Sequence, residues 1–488
     1  MSGTDSSKTP MPWDRRAFGV PLSAWLVVFL AVGVMLRGWH YLRNDPVWHD
    51  EAALIVNVLE KSYAEIWGPR LFNETGPPLF LWLEKGIVAM IGDSTYALRL
   101  VPLLAGIAAL FVGVRAIRPI ATPIELLFFT LMFAISDRLL WHCTEAKMYS
   151  TDVLIASLLT LLFVRREKAA PAFAEGLVLA AASGLMFFSF PVVFILPAYG
   201  LARFPSLMRS RSIAGWLGMV LFGVSFLACF ALLSVGPVAA IRTADLDQSW
   251  RDMFPNWSES WSVPYHLVRR TCESFRYTLE PVGHVMSPFA IWGGIVLQRR
   301  GHGAFAAFLW LTIGLNIVAW LAGKYPLGPT RVNMFLAPAC LTLIAVGVGD
   351  LFERLLVRRA KWAWLVPLPI AAAVILAIAS LILPWRRLQM EGPAELVLSQ
   401  RQSDEPVVAW FWEHHYYFRS IRDWRRDDPP KIDDPKVEGF WYLHHTTAKP
   451  HHPQDPFWPS LEHRWSDDWK GDVVHFRDYD VWHFQRKQ

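Results

Sequence analysis

Eleven apolar stretches pattern the first 384 residues: Ala17–Leu36, Leu98–Val114, Ala121–Ser136, Tyr149–Val164, Pro171–Phe190, Pro191–Ala202, Ile213–Val235, Val282–Leu297, Gly303–Ala322, Val332–Val348 and Trp362–Leu383. A helix crossing a bilayer takes about 20 apolar residues, and several of these run shorter, so their ends are approximate. A twelfth stretch, Leu79–Ile91, is only 13 residues long, carries Glu84 and Lys85, and follows Pro77 and Pro78. It reads as a helix on or dipping into the interface, because a crossing there would invert every later linker. Beyond Leu383 the pattern changes. Val407–Trp412, Gly439–Leu443, Val473–Phe476 and Val481–Phe484 read as strands and Pro393–Gln402 as a short helix, which predicts a small α/β domain. The expected architecture is therefore an all-α polytopic membrane module over residues 1–384 and a soluble domain over residues 385–488.

Composition agrees with a membrane protein: 53% of residues are hydrophobic, 18% are charged and the mean hydropathy is +0.28, too apolar for a soluble globule of 488 residues. Charge sets the orientation. Short linkers on one side hold Arg115 and Arg118; Arg165, Arg166 and Lys168; Arg203, Arg209 and Arg211; Arg299 and Arg300; and Arg354, Arg358, Arg359 and Lys361. Those on the other hold only Arg138, Lys147, Lys324 and Arg331. The basic side is cytoplasmic by the positive-inside rule, which places the N-terminus with Arg15 and Arg16 inside and the C-terminus outside. Three outside segments follow: a first loop over residues 37–97, a second over 236–281, and the tail. The net charge of +5 belongs to the cytoplasmic linkers and gives no nucleic-acid surface. Cys143, Cys229, Cys272 and Cys340 lack metal spacing; Cys143 and Cys272 would both face outside, where a disulfide is open to them. The first apolar run lacks a small-residue cleavage site and reads as an uncleaved span.

The sparse outer charges need a reason other than orientation. In the first loop, Trp48-His49-Asp50-Glu51 opens a helical stretch with Ala52, Ile55, Val56 and Leu59 along one face, which suits a helix lying on the membrane surface. Its two carboxylates either complement the positive end of the helix dipole or face a substrate. Between the third and fourth stretches the chain reads Trp141-His142-Cys143-Thr144-Glu145-Ala146-Lys147-Met148-Tyr149. Charges this close to hydrocarbon must be paired or face water, so Glu145 and Lys147 form either an ion pair or part of a site. Lys324-Tyr325-Pro326-Leu327-Gly328-Pro329-Thr330-Arg331 is a rigid loop that ends in an Arg entering a span. Arg331 and Arg99 either snorkel to lipid headgroups or bind a ligand phosphate. Carboxylates, Lys, Arg and aromatics at one membrane face suit group transfer from a phospholipid-like donor, with cations on the phosphate and a carboxylate taking a hydroxyl proton.

Asp50-Glu51, Gly76-Pro77-Pro78-Leu79, Gly92 followed by Leu98-Arg99-Leu100-Val101-Pro102, Glu145-Ala146-Lys147-Met148-Tyr149, and Tyr325-Pro326 with Arg331 together resemble the GT-C glycosyltransferases. The resemblance is to the family 39 group, which includes protein O-mannosyltransferases and lipid A aminoarabinose transferases, and it covers about residues 17–384. It implies a membrane enzyme that uses a polyprenyl-phosphate sugar as donor and a lipid, an exported glycan or a protein as acceptor, at the periplasmic face of a bacterial inner membrane. It also implies that Asp50 is the base or acceptor-orienting group, that Glu51 shapes the site or a metal position, and that Glu145 belongs to the catalytic set. Lys147, Tyr149, Arg99, Lys324, Tyr325 and Arg331 fall to donor-phosphate and substrate binding. A divalent cation is left open by the resemblance. Related transferases often carry His or Lys just before the Pro of the juxtamembrane helix, where this chain has Thr75 and Gly76.

Two other classes compete. A transporter or flippase would place charges or broken helices near mid-membrane between repeated halves; here Glu125, Glu175 and Asp152 sit near span ends and no internal repeat is visible. A membrane scaffold working through its exported tail is the third. Tail histidines at His414-His415, His444-His445 and His451-His452, with His463, His475 and His483, do not read as a metal site, since neighbours on a strand point to opposite faces. Trp250, Trp257 and Trp261 read as interface anchors with sugar stacking as the alternative. Asn73-Glu74-Thr75 and Asn256-Trp257-Ser258 fit the glycosylation pattern, which has meaning only in a eukaryotic secretory membrane.

Overall fold

The computed structural model describes residues 16–17, 20–72, 74–242, 248, 250–383, 385, 389–403, 405–409, 412–421, 437–446 and 469–487. Arg15, Asn73, Pro384, Trp410, Phe411, His451, His452 and His463 lie outside the described residues. Contacts divide the chain into two units. One comprises Met1–Asn44, Tyr63–Pro69 and Thr75–Pro384; the other comprises Asp45–Ser62, Arg70–Glu74 and Trp385–Gln488.

The regular elements described in the first unit are helices, apart from a short ribbon of β1 (Arg16–Ala17) and β2 (Val20–Pro21). Each of the eleven expected stretches is met by a helix. Among the described residues six helical segments are long and apolar enough to cross a membrane: Leu22–Arg43, Thr95–Ile117, Ile213–Ile241, Gly303–Leu321, Arg331–Val357 and Lys361–Ile382. Shorter or more charged helices fill the other positions, including Pro123–Ile135, Tyr149–Arg166, Phe173–Ala182, Val192–Ser210 and Gly283–Arg299. The short stretch before the second span is a helix, Pro78–Ile91, started by proline at its first position and ended by Gly92 at φ +93°, a conformation that suits glycine.

The helices that carry the outer linkers can be numbered α1 (Leu22–Arg43), α2 (His49–Glu60), α3 (Pro78–Ile91), α4 (Thr95–Leu98), α5 (Leu100–Ile117), α6 (Pro123–Ile135), α7 (Asp137–His142) and α8 (Tyr149–Arg166). A capping box opens α6: the Thr122 hydroxyl accepts from the Glu125 N–H while the Glu125 carboxylate accepts from the Thr122 N–H. The end of α6 is tied down by Arg37 of α1. That guanidinium is buried and donates to Phe133 O at 3.1 Å and Ala134 O at 3.3 Å, taking carbonyls that the helix end leaves without amide partners. Gly106 of α5 lies so close to the turn after α7 that a Cβ there would stand 2.6 Å from Cys143 Cβ.

The second unit holds a four-stranded sheet in the order β3 (Val407–Ala409), β4 (Gly439–His445), β6 (Tyr479–Arg486), β5 (Trp469–His475); β3 and β4 are parallel and the other pairs antiparallel. The expected short helix is present over Glu391–Gln400. Of the strand expected to run to Trp412, Val407–Ala409 is described as a strand, and Trp412 itself opens the helix Trp412–Tyr417. One core, with Met390, Val397, Val407, Phe418, Trp441 and Val481, fills one side of the sheet.

Helix α2 belongs to this unit, and it corrects the expectation of a helix lying on the membrane surface. Glu51 through Val58 are all buried, so Leu54 and Val58 on the side away from Ala52, Ile55 and Val56 are covered by protein as well. A helix apolar on several sides needs partners around it, where a surface helix needs only one apolar face. The Asn57 side chain fixes its position by donating to Leu71 O at 3.0 Å and accepting from the Leu71 N–H at 2.9 Å.

Candidate functional site

In the first unit the linkers around residues 137–148, 263–281 and 324–333 converge on the turn between α7 and α8. Ser136 starts α7: its hydroxyl accepts from the Leu139 N–H and donates to Thr278 O at 2.8 Å, which fastens α7 to the end of the helix Val263–Thr278. The same helix is stitched to the Pro/Gly loop, where the Gly328 N–H donates to Ser274 Oγ at 3.1 Å and Asn333 Nδ2 donates to Gly328 O at 3.2 Å. Gly328 has φ +118°, and a Cβ there would sit 2.9 Å from Arg270 Cδ. Sequence positions near 140, 277 and 330 are thereby held together.

Inside this frame lies a chain of hydrogen bonds. His142 Nδ1 is 2.8 Å from Glu145 Oε2, and His142 Nε2 is 2.9 Å from the Tyr277 hydroxyl. His142 and Glu145 are both buried. Burial lowers the imidazole pKa below its usual 6.5, with Glu145 pulling the other way and Arg138 and Arg331 adding to the depression. Burial likewise raises the Tyr277 phenol above its usual 10, opposed by Arg138 and Arg331. Both groups are neutral at pH 7. Tyr149 packs its ring edge-on against His142 at 4.9 Å.

Arg138 closes the cluster. Its Nε donates to Glu280 Oε2 at 2.6 Å, and its guanidinium lies 5.2 Å from the ring centroids of both Trp141 and Tyr277. Burial alone would lower its pKa, but Tyr277, Glu280 and Asp137 outweigh it and raise it.

The expected site residues fall as follows. Glu145, Tyr149 and Arg331 belong to this cluster, Arg331 through the field it exerts on His142 and Tyr277. Lys147 is buried in the same turn, its N–H bonded to Glu145 O at 2.7 Å. Tyr325 donates to Val332 O at 2.9 Å and packs against Phe194 and Phe335; its phenol is raised by burial and by the charge of Asp152. Lys324 is exposed beside it. Arg99, buried, donates to Asn44 Oδ1 at 2.9 Å and ties the end of α1 to the start of α5. In the second unit Asp50 and Glu51 occupy the first turn of α2, Asp50 half-buried and Glu51 buried.

His142, Tyr277 and Arg138 were not among the expected site residues. His142 and Glu145 stand three apart, a spacing that can bring side chains together on one helical turn and could have raised the pair. Tyr277 is 135 residues from His142, and nothing in the sequence joins them. Asp152, buried in the first turn of α8, is a further carboxylate at this face.

All four cysteines are free thiols. Cys143 is buried with its sulfur 3.0 Å from Leu140 O and its pKa pushed up to about 11 by burial, and Cys272 lies 3.8 Å from Ser287 Oγ. Among the described residues no group of three or more His, Cys, Asp or Glu stands together as a metal-binding set.

No family model matches the chain, and no curated protein matches it. Solved structures do. ArnT from Cupriavidus metallidurans bound to undecaprenyl phosphate aligns over 94% of this chain and 98% of its own at 15% identity, with a TM-score of 0.56. The apo state of the same protein aligns over the same shares at 14% identity and a TM-score of 0.53. The oligosaccharyltransferase AglB from Archaeoglobus fulgidus, in complex with an inhibitory peptide and a dolichol-phosphate, covers 86% of this chain and 69% of its own at 12% identity and 0.49. The two ArnT likenesses run nearly end to end and are likenesses of fold: this chain is a polytopic integral membrane protein with the GT-C fold and a small C-terminal α/β domain.

Proposed function

We propose that this protein is a membrane glycosyltransferase that moves a sugar from a polyprenyl-phosphate donor to a lipid, an exported glycan or a protein. The observation that carries the reading is the gathering of Glu145, His142, Tyr277, Arg138 and Arg331 from three separate linkers into one cluster in the first unit. The shared fold of ArnT, solved with undecaprenyl phosphate bound, supports the same donor class. The reaction faces the periplasm of a bacterial inner membrane, with the N-terminus cytoplasmic and the C-terminal domain periplasmic, in keeping with the basic linkers.

The chemistry is a single displacement. An acceptor hydroxyl oxygen forms the new bond to the anomeric carbon as the bond from that carbon to the phosphate oxygen breaks; the electron pair leaves with the phosphate and the configuration inverts. Asp50 takes the hydroxyl proton, Glu51 shapes its surroundings or a metal position, and Glu145 is likewise assigned a catalytic part. Lys147, Arg331 and Arg99 neutralise the departing phosphate, while Tyr149, Lys324 and Tyr325 bind substrate. Positioned proton transfer contributes on the order of a hundred- to ten-thousandfold. The full chain in lipid nanodiscs, given radiolabelled undecaprenyl-phosphate sugars and envelope extracts, should transfer label, and Asp50→Asn should lose at least about a hundredfold while inserting normally. No transfer with any hexose or pentose donor would reject the reading, and near-native turnover in Asp50→Asn would reject the role of Asp50.

A further inference from the structure

With Glu145 ionised, the polarity of the Glu145–His142–Tyr277 chain follows from its buried end. A carboxylate offers only acceptors, so the hydrogen between Glu145 and His142 sits on Nδ1. Neutral imidazole carries one N–H, so Nε2 is bare and must accept. The Tyr277 hydroxyl therefore spends its one proton on His142 at 2.9 Å, and what remains on its oxygen is a lone pair. Arg138 does not alter this, because it meets the face of the Tyr277 ring and puts its Nε on Glu280.

We propose that Tyr277 is a substrate-binding residue held acceptor-only by His142 and Glu145, so that its oxygen takes a hydrogen bond from a ligand hydroxyl and does not donate to a phosphate. Tyr277 would touch the ligand and His142 is a positioning residue; Glu145, assigned above to the catalytic set, acts on Tyr277 through His142. This rests on the glycosyltransferase reading and adds to it a group that recognises hydroxyl, on the donor sugar or on the acceptor, alongside cations that recognise phosphate.

A second consequence is pH dependence. The charged and titratable groups around His142 are Glu145 on the turn, Arg138 on α7, Tyr149 on α8, Tyr277 on the helix Val263–Thr278, and Arg331. Protonating His142 places a hydrogen on Nε2. Tyr277 must then accept from it, and the hydroxyl proton turns outward and opposes an incoming hydroxyl. Ligand recognition should fall as pH drops through the depressed pKa of His142.

The test uses the full chain in nanodiscs. With histidine labelled by nitrogen-15 and the His142 signals assigned by difference from His142→Gln, the proposal expects a protonated Nδ1 and a bare Nε2 at pH 7.5. The reverse tautomer overturns it, whether or not transfer is observed. With a donor that supports transfer, Tyr277→Phe should lower kcat/KM about tenfold, the scale of one hydrogen bond, and leave the Kd for undecaprenyl phosphate within about twofold. A raised KM for the donor places the hydroxyl on the sugar, and a raised KM for the acceptor places it there; neither rising overturns the proposal, as does loss of undecaprenyl phosphate binding. In His142→Gln, which has an amide donor and acceptor but no titration, the acid limb of the kcat/KM profile should vanish. A limb unchanged in that variant also overturns it. If no donor supports transfer, the glycosyltransferase reading fails while the tautomer measurement still decides the relay.

Discussion

Arg138→Gln is the perturbation whose cost can be worked most directly from the cluster. The Arg138 side chain is 23% exposed and its partner Glu280 24%, with Nε and Oε2 2.6 Å apart. Breaking a fully buried pair costs about 3–5 kcal/mol, whereas exposed pairs contribute about 0.2–1. A pair with a quarter of each side chain in water lies between, at about 2 kcal/mol. Two aromatic faces, Trp141 and Tyr277 at 5.2 Å each, add about 0.5–1 kcal/mol apiece. The expected loss for Arg138→Gln is therefore about 3 kcal/mol. Arg138→Lys keeps charge without the planar fork and should fall between. Glu280→Gln in the Arg138→Gln background should return part of the loss, because the stranded carboxylate is then gone. Unfolding of the full chain in mixed micelles, followed by tryptophan fluorescence, measures all three variants against the wild type. A loss under about 0.5 kcal/mol, or a double variant no better than the single, would refute the claim that this pair joins α7 to the second outer loop.

Three further outcomes follow from the same structure. On the opposite side of the first unit, Arg203 donates to both oxygens of Glu175 at 3.0 and 3.1 Å and to Glu167 O and Ala169 O at 2.8 Å, while Tyr199 donates to Glu175 Oε1 at 2.9 Å; Glu175→Ala should cost about 3–5 kcal/mol in the same unfolding assay, and Glu175→Leu with Arg203→Met should recover most of it. Gly328→Ala should cost about 1–2 kcal/mol from positive φ alone and lower transfer by shifting the loop that ends at Arg331, since its Cβ also meets Arg270; limited proteolysis near residue 328 and the transfer rate read this together. In the second unit Glu405 accepts from His483 at 2.7 Å, from Trp441 Nε1 at 2.8 Å and from the Gln402 N–H at 3.0 Å. Burial pushes its pKa up but these donors bring the net value below the usual 4.5. A carboxyl lowered in the folded state contributes stability that is present above its ordinary value and is lost as pH falls through the folded one. Hydrogen exchange of β4 and β6 amides should therefore quicken below about pH 4.5, and Glu405→Gln should flatten that dependence.

The membrane architecture was legible because a hydropathy run reports what a bilayer needs: each of the eleven expected stretches holds a helix, and Pro77-Pro78 marked the start of α3. Glu145 and Lys147 were legible as ionisable groups close to hydrocarbon, which require a partner or a purpose. Tyr277 was not. Its meeting with His142 depends on Ser136 reaching Thr278 and on Gly328 reaching Ser274, contacts that span 142 and 54 residues and leave no periodic trace. The setting of α2 was misread for a related reason. Ala52, Ile55, Val56 and Leu59 made one face, but Leu54 and Val58 make others, and only the structure shows them covered. Asn57, polar in this run of apolar residues, is buried and bonded to the Leu71 backbone.

What separates the outer cluster from the other charged networks of the first unit is how each one ends. Arg300 donates to Glu125 Oε2 at 2.8 Å and Asp350 Oδ1 at 3.2 Å, Arg354 and Trp292 donate to the same Asp350, and Thr122 caps Glu125. That network, like the one around Arg203, runs from donor to acceptor and closes on backbone and carboxylates. Buried ion pairs of this kind lock helix ends in register. The outer chain starts at a buried carboxylate and ends at a phenol whose proton is already committed to His142, so its last atom is a lone pair in a field of Arg138 and Arg331. A directed chain that terminates in an acceptor is of no use to helix packing, where a closed pair or an apolar contact would serve better. It has a use if a hydroxyl arrives there, and that asymmetry is why the charge-poor linkers are the place to look for chemistry.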